Sequence, residues 1–122
     1  MTSVSKEMFE LFQESFNLLS DEDSWCKHVL CRPIHRDITE SSQRCLLGSL
    51  LLARTTLESS RETYRKLVQW LSVGLPTAYT NDVNSSFVAL SRLNDESSFP
   101  ELEMWMQEKL NRLETEVTQS LA

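Results

Sequence analysis

The sequence predicts an all-α fold, a compact bundle of five or six helices forming a single domain over residues 1–122. Three observations predict it. Apolar residues recur at three- and four-residue spacing in several long segments, the period of a helix with one inward face. Only 2 glycines and 3 prolines occur, too few for the closely spaced turns of a sandwich or barrel. The chain is 40% hydrophobic and 25% charged, an ordinary globular composition at a length sufficient for a real core.

The first helix is expected over Ser5–Leu19, where Met8, Phe9, Phe12, Phe16 and Leu19 make one stripe. Ser20 to Ser24 reads as a solvated acidic loop that caps a short second helix starting near Trp25 and ending before Pro33. Asp37 and Glu40 form a capping-box-like pair for a third helix. Its residues Cys45, Leu46, Leu47, Leu50, Leu51, Leu52 and Ala53 cover most of its circumference, so it is buried in its own domain or against a second subunit.

From about residue 38 to 73 the pattern allows one long central helix or a helical hairpin. Ser59 and Glu62, a second Ser-x-x-Glu box, favour a break there. Tyr64, Leu67, Val68, Trp70 and Leu71 then share a broad side, and Gly74 followed by Pro76 ends the helix. Leu75 to Asp82 reads as a linker. A fifth helix is expected over Val83–Leu93, with Val83, Phe87, Leu90 and Leu93 inward, and Asn94 to Phe99 as a polar connection. Pro100 suits the start of a last helix reaching about Ser120, with Leu102, Met106, Leu110, Leu113 and Val117 as its stripe.

The net charge is −6, which repels a phosphate backbone, so nucleic acid is not an expected partner. Arg54, Arg61, Arg65 and Lys66 interleave with Glu58 and Glu62 and read as a solvated helix face. Lys6, Glu7 and Glu10 interrupt the first turns, so no secretory leader is expected. The longest apolar run, Cys45–Ala53, is too short to span a bilayer. With 3 cysteines, an odd number, reduced thiols in the cytoplasm or nucleus are expected.

One cluster carries ligand chemistry. Cys26, His28, Cys31 and His35 lie within ten residues and offer the thiolates and imidazoles that zinc prefers. Their spacing, C-x-H-x2-C-x3-H, matches no familiar zinc pattern, and Pro33 interrupts helical pairing of Cys31 with His35. The plainer reading makes the cysteines small buried hydrophobes. Cys26 or Cys31 as a nucleophile, with His35 as base and Asp37 behind it, lacks a glycine-rich turn for an oxyanion. A calcium loop starting at Asp21 fails, because its sixth and twelfth positions hold Cys26 and Arg32.

Partner-facing candidates are Leu47 and Leu51 on the greasy third helix, and Met104, Trp105 and Met106 on the last. Around Trp105 the apolar face is wider than a core stripe requires, and methionine adapts to varied partners. Arg61-Glu62-Thr63, Leu67-Val68 and Pro76-Thr77-Ala78-Tyr79 locally resemble a segment of hepadnavirus core proteins, over under a fifth of the chain and with different loop lengths. That likeness implies a helical subunit that assembles with copies of itself.

The expected function is that of a small helical interaction protein, an adaptor, regulatory subunit or viral accessory factor, with self-association and no enzymatic activity. The alternatives are a self-assembling capsid- or matrix-like subunit and a zinc-stabilised helical domain.

Overall fold

The computed structural model describes residues 4–32, 43–80 and 85–121. Helix α1 (Lys6–Leu18) leads into a single 3-10 turn at Glu22–Ser24. Strands β1 (Cys31–Arg32) and β2 (Gln43–Arg44) follow, then α2 (Leu46–Leu57), α3 (Arg61–Ser72), the one-turn α4 (Thr77–Thr80), α5 (Ser86–Glu96) and α6 (Phe99–Leu121). The bundle is all-α apart from that two-residue ladder, in which Cys31 pairs with Arg44 and Arg32 with Gln43, antiparallel.

Helix α1 is the element on which the others converge, packing against α2, α6 and α3. Met8, Leu11, Phe12 and Ser15 are fully buried on it, while Phe9 and Phe16 are only half-buried. The inward face is thus rotated from the expected stripe, because three neighbours demand a broad face centred on Leu11 and Phe12. Helix α2 is covered by α1 on one side and α5 on another, so its nearly continuous apolar surface is used inside the domain.

A polar pair sits in the α1–α2 interface. The Ser49 hydroxyl donates to the Leu46 carbonyl at 2.7 Å, so its proton is committed. The Ser15 hydroxyl then donates to Ser49 at 2.6 Å, and both side chains are fully buried and satisfied.

The span from 46 to 72 is two helices. Glu58 ends α2 in the left-handed conformation (φ 53°), and the Arg54 side chain donates to the Ser59 carbonyl at 3.2 Å. Ser60, one residue later than the expected box, caps α3 by accepting from the Thr63 N–H at 3.1 Å. Gly74, with φ 83°, follows the C-cap Val73 as expected.

Three sequence expectations need correction. Residues 25–32 are not helical: Asp21 caps only the 3-10 turn, and Trp25 leaves it extended. The segment bonds instead to the end of β2 and the cap of α2: the Cys26 N–H donates to the Arg44 carbonyl at 3.0 Å and the Leu30 carbonyl accepts from the Cys45 N–H at 3.1 Å. Helix α2 does not run in from the Asp37/Glu40 box, since Gln43 and Arg44 are strand and Cys45 is its N-cap. Asp37, Glu40, His35 and Pro33 themselves lie outside the described residues, as does Val83. Helix α5 starts at Ser86 behind the cap Ser85, and it continues through Asn94 and Asp95, which were expected in a connection.

Helix α6 begins with a reciprocal capping box. The Ser98 N–H donates to Glu101 Oε1 at 2.8 Å and the Glu101 N–H donates to Ser98 Oγ at 3.3 Å. Hydrogen bonding from the Ser98 backbone N–H, then from its hydroxyl, holds the Glu101 carboxyl below its ordinary pKa. Among the described residues no helix is long and apolar enough to cross a membrane.

Candidate functional site

The cysteine-rich segment docks through one residue that the sequence reading placed in a connection. Asn94, 1% exposed, accepts from the Trp25 indole N–H at 2.7 Å and from the Leu46 backbone N–H at 3.0 Å. Its amide donates to the Cys26 carbonyl and to Asp95 Oδ1, each at 3.1 Å. Asn94 therefore pins the 25–32 segment to the first turn of α2 and to α5. Its helical position, four residues after Leu90, was the available signal.

Around this pin lie all three thiols, Cys26, Cys31 and Cys45, buried and reduced. Cys45 Sγ accepts from the Gly48 N–H at 3.3 Å, as a serine would at an N-cap. Burial pushes the Cys45 thiol up to about 11, and raises Cys26 as well. Thiols of this kind stay protonated near neutrality, which is the wrong state for a nucleophile or ligand.

Of the four expected zinc ligands, Cys26 and Cys31 face the interior, whereas His28 lies outside. Its side chain is 72% exposed, its backbone is left-handed (φ 71°), and its Nδ1 stands 3.6 Å from Asp95 Oδ2. His35 lies outside the described residues. Among the described residues no three His, Cys, Asp or Glu side chains are gathered so as to hold a metal ion.

The expected partner-facing residues divide. Leu47 and Met106 are core residues, 6% and 2% exposed. Leu51 is half-buried against the core. Trp105 sets its ring edge-on to Phe12 at 6.4 Å and 87°, so the wide apolar turn of α6 is spent on α1. Met104 alone of the five is exposed, at 74%.

Two surfaces were not singled out from the sequence. One is apolar, at the junction of α3 and α5. There the Ser72 and Ser86 hydroxyls lie 2.9 Å apart, holding Val73, Phe87 and Val88 at neighbouring helix ends. These three are 71%, 38% and 43% exposed, and the Phe87 ring leans on Tyr64 at 5.8 Å.

The other surface is cationic. Lys109 Nζ and the Arg112 guanidinium of α6 both lie against the Trp70 ring of α3, at 5.9 and 5.8 Å from its centroid. Lys109 is 8% exposed, its stem laid between Met106 and Leu113 on the inward stripe of α6. Burial, then the neighbouring Arg112 charge, pulls its pKa down. The signal was in the sequence, since Lys109 occupies the position between Met106 and Leu113 that a core residue should take.

No protein-family model matches the chain, and searches of curated proteins and of solved structures find no match.

Proposed function

We propose that this protein acts by binding another protein, as a small helical interaction module whose contact surface is the α3–α5 junction. The observation that carries the reading is the exposure of Val73, Phe87 and Val88 together, at two helix ends fixed by the Ser72–Ser86 contact. Single exposed apolar residues are common on any protein, and three of them at adjoining helix ends make this junction the candidate contact site. The buried Cys45 and Cys26 thiols, pushed up by burial, favour the same reading over nucleophilic catalysis.

The test is retention of a partner from the native cell by the wild-type protein and by the double variant Val73→Asp, Val88→Glu. Both positions are exposed, so the variant should fold. A partner held by the wild type and released by the variant supports the reading, and equal recovery overturns it. Size-exclusion chromatography with light scattering identifies whether the partner is a second copy of this chain.

A further inference from the structure

We propose that Lys109 and Arg112, laid on Trp70, form a receptor for the carboxylates of an acidic peptide segment in a partner protein. The inference rests on the reading that this protein works by binding protein, and it names the chemistry of the partner at a second surface.

Two cations share one indole ring at nearly equal distance. Among the described residues neither Lys109 nor Arg112 forms an ion pair. Glu108 and Glu116 flank the cations on α6, yet neither reaches them as an ion-pair partner. In a chain of net charge −6, with 18 acidic residues to 12 basic ones, two unpaired cations side by side run against the average.

Lys109 is 8% exposed, its stem covered, and among the described residues its ammonium meets no hydrogen-bond acceptor. Like charges held this close repel, and burial of the stem fixes one of them in place. A carboxylate bridging the two heads relieves the repulsion and accepts from both, as charge-assisted bonds. Arg112 offers a planar fork, and the Trp70 face beside it offers apolar area for the methylenes of Glu.

The net charge of −6 disfavours a long polyanion more than a short acidic segment that meets the cations locally.

The experiment uses the full chain labelled with 15N and follows the three indole N–H signals by NMR. The Trp70 signal is assigned with Trp70→Phe. The probe is an end-blocked hexapeptide of alternating Glu and Asp, beside its Gln/Asn counterpart and inorganic phosphate. We expect the acidic peptide to move the Trp70 signal selectively and the amide peptide to leave it in place. Arg112→Gln and Lys109→Met, the latter keeping the buried stem, should each weaken binding by about tenfold, as loss of a charge-assisted bond does.

Unchanged affinity in both variants overturns the proposal. So does equal displacement by phosphate, which would mark a general anion site, or a Trp70 shift that depends only on protein concentration, which would mark a second copy as the occupant. Partner release by the Val73→Asp, Val88→Glu variant is read separately, so this proposal can fail while the interaction reading stands.

Discussion

The Trp25 indole N–H donates to the Asn94 side-chain oxygen at 2.7 Å, joining residues 69 positions apart. The same oxygen accepts from the Leu46 N–H, and the amide serves the Cys26 carbonyl. One side chain thus satisfies three groups that nothing else nearby satisfies.

Asn94→Ala should therefore cost more than an ordinary core truncation. It strands the Leu46 N–H, the Trp25 N–H and the Cys26 carbonyl, and each buried orphan costs about 1–3 kcal/mol. We expect a loss of about 3 kcal/mol or more in urea unfolding. Trp25→Phe should cost less, because Asn94 keeps Leu46 and Cys26. Equal losses in the two variants would contradict the assignment of Asn94 as the pin.

Gly48 lies in the first turn of α2, and a Cβ there would run into the Leu30 carbonyl oxygen, which is backbone and cannot swing aside. Gly48→Ala gains up to about 1 kcal/mol in helix propensity. It should nevertheless destabilise by about 2 kcal/mol, since overpacking against backbone forces the 25–32 segment away. A stabilised variant in thermal unfolding would show that the close approach is not required.

The Cys45 thiol rises from an ordinary 9.0 to about 11, chiefly through burial. Its proton is held more tightly in the folded than in the unfolded chain. That contribution to stability is complete below about pH 9 and is lost as pH rises through 11; it is worth a few kcal/mol. Tyr64, raised to about 12, and Cys26 add losses of the same sign, while Lys109, lowered by burial, acts oppositely.

Cys45→Ser isolates one part of this. Serine is a preferred N-cap, so stability at pH 7 should stay within about 1 kcal/mol of wild type. The difference between urea midpoints at pH 8.5 and pH 11 should shrink. An unchanged alkaline loss would assign it to the other groups.

The helices were legible where a narrow apolar stripe carries the packing. Leu67, Val68 and Leu71 on α3, and Leu102, Met106 and Leu113 on α6, are buried as their spacing requires. The stripe misplaced on α1 is the case where three neighbours cover one helix, so Leu11 and Ser15 go inward although polar and apolar residues alternate there.

The segment after Trp25 was illegible for a different reason. Its conformation is fixed by partners far along the chain, Arg44 and Asn94, which outweigh a local cap at Asp21. For the same reason the compositional cluster of Cys26, His28 and Cys31 did not become a spatial one: strand geometry and the left-handed His28 turn the imidazole outward. The cationic surface was half legible. Lys109 betrays itself by occupying an apolar position, but its meeting with Trp70 depends on how α3 and α6 lie across α1.

The convergence on α1 also sets an order of events during synthesis. Met8, Leu11 and Phe12 leave the ribosome long before Met106 and Leu113 exist to cover them. A growing chain therefore carries the α6-facing side of α1 open until α6 emerges. Until then the unfinished protein is a natural customer for chaperones that hold apolar segments.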